Sequence, residues 1–114
     1  MKQGKIWGNT QLLFNKSNVE IHRLIINKGG YCSKHKHKHK YNMFFVESGI
    51  IEVHVEKNDY HLIDTTVLTA GDITIVKPGE YHWFKGLNTG VVYEIYWTEL
   101  DSNDIDRETI GGVA

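Results

Sequence analysis

The sequence predicts an all-β fold, and three observations carry that expectation. Apolar and β-branched residues recur in short runs, and no stretch holds a helical period. Turn chemistry separates the runs at nearly regular intervals. Eleven glycines and one proline gather mostly at those turns, where glycine takes positive φ without steric cost and proline removes no central ladder bond.

The elements follow in chain order. Residues 19–27 (VEIHRLIIN) are β-branched and stop at Gly29-Gly30. Residues 42–47 (NMFFVE) end at Ser48-Gly49, and residues 50–55 (IIEVHV) run to the polar turn Lys57-Asn58-Asp59. Residues 73–76 lie between Gly71-Asp72 and Lys77-Pro78-Gly79, and residues 91–97 (VVYEIYW) follow Asn88-Thr89-Gly90. Short strands so spaced fit a sandwich or barrel. Residues 101–110 are polar and suit one short helical turn.

Length and charge narrow the class. A chain of 114 residues and 13.2 kDa fits a single domain, 1–114, with one compact core. Thirteen basic against 14 acidic residues leave a charge of −1, so there is no electrostatic case for a nucleic-acid partner. No apolar run approaches the roughly 18–20 residues of a membrane helix, and no membrane partner is expected. The start, MKQGKIWGNT, has no apolar stretch after Lys2 and Lys5, so a secretory signal is not expected. The single cysteine, Cys32, precludes an intrachain disulfide and suits a reducing compartment. A cytoplasmic protein is the expectation.

The chemistry concentrates in GYCSKHKHKHKY, residues 30–41. Three of the seven histidines fall here, His35, His37 and His39, alternating with Lys34, Lys36, Lys38 and Lys40. In an extended strand, side chains at i and i+2 share a face about 6.5–7 Å apart. Two imidazoles so placed can converge on one ion if the strand twists. The plain alternative is a basic tip that captures metal adventitiously, with its lysines a solvated face. Cys32 stands three residues from His35, so a continuous strand would turn it to the opposite face. Downstream, Lys77-Pro78-Gly79-Glu80-Tyr81-His82 puts a histidine after a tight turn, which sets where His82 points. A third imidazole from that remote strand completes a three-histidine site. Imidazole suits Zn, Fe, Ni and Cu, so the ligand type does not name the metal. His22, His54 and His61 have no partner at ligand spacing and read as surface or hydrogen-bonded structural residues.

Two spacings together resemble the cupin superfamily. Gly29, five residues, His35-x-His37, four residues, Asn42, six residues and Gly49 follow its first motif. Gly71, five residues, Lys77-Pro78-Gly79, two residues, His82, three residues and Gly86 follow its second. The resemblance implies a small jelly-roll barrel (double-stranded β-helix) with a metal site in its mouth. Within the superfamily, the chain is similar to the cupin domain of type II mannose-6-phosphate isomerase. Trp7-Gly8, the approach Lys28-Gly29 and Ser33, the strand Glu94-Ile95-Tyr96 and the acidic Asp104-Ile105-Asp106-Arg107 carry that likeness. Three positions depart from the superfamily pattern: Asn42 replaces a glutamate, Lys77 a proline and Gly86 an asparagine. The isomerase family often has Gln where this chain has His35.

The resemblance implies one divalent ion (Zn, Fe, Mn or Ni) at His35, His37 and His82, with Asn42 as ligand or hydrogen-bonded neighbour. Without the glutamate, the centre is more electrophilic and favours anionic or polarisable-oxygen ligands. His39 is placed at the rim. Lys40 and Arg107 are the candidates to hold a phosphate by charge. The catalytic base is not identified: Glu47 and Glu94 are candidates from strand alternation alone. Three functions remain open: sugar-phosphate isomerase chemistry, a three-histidine Fe(II) oxygenase similar to the thiol dioxygenases, and a non-catalytic sugar- or metabolite-binding cupin. The aromatic-rich strands leave surface for a homodimer.

Overall fold

The computed structural model describes residues 2–57, 62–99, 106, 108 and 111–114. Among these, nine strands form and no helix: β1 (Lys2–Lys5), β2 (Gly8–Lys16), β3 (Val19–Ile26), β4 (Tyr41–Ser48), β5 (Ile51–Lys57), β6 (Leu62–Leu68), β7 (Ile73–Val76), β8 (His82–Gly86) and β9 (Gly90–Trp97). No helix is long and apolar enough to cross a membrane among the described residues. The helical turn expected within residues 101–110 and the site residue Arg107 lie outside what is described.

Every pairing is antiparallel. One sheet has six strands in the order β1-β2-β3-β9-β4-β7, and the other has three, β6-β5-β8. The chain between β3 and β4 adds to the smaller sheet through single bridges, Tyr31 to Lys85 and His35 to His82. The sheets face each other as the two walls of a jelly-roll barrel.

The inward rows explain both the core and the site. Alternate residues of a strand share a face, so β4 sends Phe44 and Val46 inward, β5 sends Ile51, Val53 and Val55, and β9 sends Val92. Leu24, Ile26, Leu68, Val76 and Phe84 complete the buried cluster. Continued toward the other end of the barrel, the same rows turn polar. Asn42 precedes Phe44, His82 precedes Phe84, and Glu94 follows Val92; all three are buried. One end of the barrel is therefore sealed by hydrocarbon, and the other is lined with titratable and amide groups.

Strands β1, β2 and β6 fall where the sequence shows no alternation. In β2 and β6 most side chains are exposed on both faces, so selection for one buried face leaves no period-2 pattern to read.

Candidate metal centre

Two backbone features bring the distant histidines together. His35 and His82 exchange both main-chain hydrogen bonds, N to O at 3.0 and 2.8 Å. The loop before β8 is a type II-like turn: Pro78 occupies its first central position and Gly79, at φ 83°, its second. The Gly79 N–H donates to the His37 carbonyl at 2.8 Å. The Pro-Gly turn thus clips the loop that carries His37 onto the strand that carries His82.

The three rings converge. Their centroids lie 5.1 Å apart for His35 and His37, 4.4 Å for His35 and His82, and 5.4 Å for His37 and His82. One ring nitrogen from each falls within 4.8 Å of the others, and among the described residues this is a group able to hold a metal ion. Main-chain carbonyls set two of the tautomers. Nδ1–H of His35 donates to Ser33 O at 2.7 Å, and Nδ1–H of His82 donates to Glu80 O at 3.0 Å. Each ring is thereby left with an unprotonated Nε2, the atom able to act as a ligand.

Burial first, and then the neighbouring His35 and His82, hold His37 down to about 4. Burial likewise lowers His82. Both rings are neutral near pH 7, the form that binds metal. His37 Nε2 and Asn42 Oδ1 are buried with no hydrogen-bond partner among the described residues. An unpaired buried acceptor costs about 1–3 kcal/mol, and a cation held by the three rings would satisfy the imidazole nitrogen. The residues present fit a divalent metal.

The neighbourhood of Asn42 was not legible in the motif. Its Nδ2 lies 3.3 Å from His82 Nε2 and donates to Glu94 Oε2 at 3.0 Å, while Tyr96 OH donates to the same carboxylate oxygen at 2.7 Å. Burial and then Glu94 push the Tyr96 phenol well above its ordinary range, so it remains a donor. Of the two acidic candidates for a base, Glu47 is exposed and accepts from Tyr93 OH at 3.3 Å. Glu94 points inward.

A cavity of about 250 Å³ opens beside His35, walled also by Gln3, Lys5, Thr10, Glu94 and Tyr96, among others. Cys32 lines it too, which corrects the expectation that it faces away from His35. The chain from 31 to 35 makes only two isolated bridges, so strict alternation does not apply there. Cys32 is not part of the metal group; it accepts from Phe84 N–H at 3.3 Å, and burial pushes its thiol up to about 11. Gln3, Lys5 and Thr10 carry no motif, because only the folding of β1 and β2 across the mouth brings them there.

The lysines of the histidine run stand outside this cavity. Lys40 sits 3.5 Å from Glu20 and 5.1 Å above the Tyr96 ring, and lines a separate pocket of about 110 Å³. Lys36 lies 4.6 Å above Tyr81, and Lys34 pairs with Glu56. His39 is exposed. His22 bonds Glu20 at 3.2 Å, and His54 bonds Thr65 and stacks on Trp83 at 5.0 Å. His61 lies outside the described residues.

The comparisons with known proteins agree with this architecture. No curated protein sequence matches the chain. Among solved structures, KdgF from Halomonas sp. superposes with a TM-score of 0.75 at 16% identity, covering 89% of this chain and 88% of its own. An RmlC-like cupin from Shewanella frigidimarina gives 0.72 at 23% identity, over 87% and 84%. A variant oxalate decarboxylase from Bacillus subtilis gives 0.77 at 12% identity, over 86% of this chain and 27% of that longer protein. At these identities the likeness speaks for the fold alone. The cupin domain profile matches residues 22–98, well over half of the chain and both histidine-bearing segments, and the chain therefore belongs to the cupin family.

Proposed function

We propose that this cupin binds one divalent metal ion at His35, His37 and His82, with Asn42 beside it, and acts on a small anionic, oxygen-rich molecule such as a sugar phosphate. The observation that carries the reading is the convergence of three imidazoles at the polar end of the barrel, next to a cavity. The bound ion would supply a Lewis acid that polarises a carbonyl or hydroxyl oxygen. The chain's own groups do the rest. Lys5, on the cavity wall, offers the charge that attracts an anion, and Gln3 and Thr10 offer neutral hydrogen bonds. Trp7 packs edge-on against Phe84 at 5.0 Å and closes the apolar side. The cavity is smaller than the roughly 300–1,000 Å³ of drug-sized sites, which favours a compact metabolite. The isomerase likeness makes mannose 6-phosphate and fructose 6-phosphate the first substrates to test.

Elemental analysis of untagged protein tests the reading. About one metal equivalent per chain is expected, and His82→Ala should abolish it. Undiminished metal in that variant would return the histidine run to adventitious capture. Interconversion of the two hexose phosphates would support the isomerase. Iron with substrate-dependent oxygen uptake would instead support the oxygenase, which the lack of a carboxylate in the imidazole cluster favours.

We also propose a homodimer formed through the outer face of the six-stranded sheet. Strand register aligns Phe14, Ile21, Ile95, Met43 and Ile75 in one row across β2, β3, β9, β4 and β7, with Arg23, Tyr93, Phe45 and Ile73 beside it. Ile73 and Ile75 are 54% and 48% exposed. Five strands at ~4.8 Å and seven residues at ~3.4 Å make a plane on the order of 600 Å² before side-chain relief. That approaches the roughly 800 Å² per partner of a standard interface. A largely apolar sheet face matches a second copy of itself, since sheets pack face to face.

A further inference from the structure

We infer that Glu94 supplies, from the neighbouring strand and through Asn42, the negative charge that the imidazole cluster lacks, and so sets the affinity of the site for a divalent cation. The inference rests on the metal-binding reading above. Two charge deficits of opposite sign lie side by side in this barrel. Glu94 is only 8% exposed, and no cationic side chain pairs with it among the described residues. Its hydrogen-bond donors, Asn42 Nδ2 and Tyr96 OH, are both neutral. A buried carboxylate without a counter-charge is costly. Across Asn42, the imidazole ligands and the amide offer a dication lone pairs but no negative charge.

One amide group separates the two. Asn42 Nδ2 stands 3.3 Å from His82 Nε2 and 3.0 Å from Glu94 Oε2. Sheet register explains the placement. Glu94 of β9 is opposite Phe44 of β4, and Tyr96 is opposite Asn42, so the carboxylate enters the site one row deeper than the amide it touches. Lys5 borders the same cavity but makes no ion pair with Glu94. A cation at the histidines is therefore the counter-charge for which Glu94 is placed. Glu94 acts as a positioning and charge-compensating residue and not as a direct ligand; the clustered ligand atoms come from the histidines alone.

The test uses the full chain, stripped of metal and titrated with Zn²⁺ against a competing chromogenic chelator. Glu94→Gln, which keeps shape and removes charge, should bind about 10- to 100-fold more weakly than the native chain, as loss of such outer partners does. Combining Asn42→Asp with Glu94→Gln exchanges carboxylate and amide across the same hydrogen bond and should recover most of the loss. A merely structural role has a different signature. The metal-free Glu94→Gln protein should melt at or above the native temperature, because an unpaired buried charge has been removed. Unchanged Zn²⁺ affinity in Glu94→Gln would overturn the inference, and so would a variant that is unfolded or markedly less stable without metal. If the native chain takes up no Zn²⁺, or His82→Ala binds as well as it does, the metal-binding reading itself fails. If binding depends on His82 but not on Glu94, only the present inference does.

Discussion

Burial decides which protonation state His37 carries, and this has a measurable consequence. His37 is held down to about 4 by burial and by the two rings beside it, against about 6.5 in an unfolded chain. Between those values the unfolded chain binds more protons at this residue than the folded one, so stability falls as pH drops through that window. Above about 6.5 both states are neutral there and the contribution is flat. Thermal melts of the metal-free protein should therefore lose midpoint steadily from pH 6.5 toward pH 4.5, and His37→Gln should flatten part of that slope. An identical slope in the variant would assign the effect to other groups. At this scale the motif spacing led directly to His35, His37 and His82, because ligand-bearing strands must present them at set distances from their turns. It did not lead to Tyr96, and Glu94 entered only through strand alternation, as a candidate base. Those residues lie in a strand run that is apolar on both sides of them, and their inward direction depends on the register of β9 against β4.

Strands explain how the site is held, and one departure from the superfamily pattern belongs at this scale. Gly86 ends β8 in the buried wall, where a Cβ would meet Asn27 O and Ile26 Cγ2, both at 2.8 Å. The asparagine that the superfamily carries there has no room in this chain. Gly86→Ala should therefore destabilise by about 1–3 kcal/mol, the range for overpacking a close-packed interior. Denaturant unfolding checks this, and stability equal to the native chain would show that the β3 end yields. The same strand carries His82 at its other end, so the variant should also weaken metal binding if β8 shifts as a unit. Element boundaries were legible for β3, β4, β5, β7 and β9, whose ends carry Gly, Asn or Asp turns. The reading missed β1, β2 and β6, where exposure on both faces erases the alternating signal.

The whole molecule presents one sheet face to its partner strands and the other outward, yet both are apolar. Strands with one solvated face alternate apolar with polar, whereas NMFFVE and VVYEIYW are nearly continuous in apolar character, which is the pattern the proposed dimer would need. The smaller sheet covers the inner face. A second copy on the outer face would sediment at twice 13.2 kDa. Combining Met43→Lys with Ile95→Lys, both outward, should yield a single-chain species with its β-sheet circular dichroism and Zn²⁺ uptake retained. A native chain that sediments as a single copy at micromolar concentration would exclude this interface.

What the linear order of residues determined is the barrel and the histidine set. Turn residues and period-2 runs are local, and the two cupin spacings record how far each ligand stands from its turn. What only the tertiary structure decided is the company those histidines keep. The carboxylate behind Asn42, the cavity wall from β1 and β2, and the turning of Cys32 toward that cavity all depend on pairings between residues far apart in the chain. Strand register, which the sequence encodes only through the packing of the finished core, places a charge within reach of a cation or on the opposite face of the sheet.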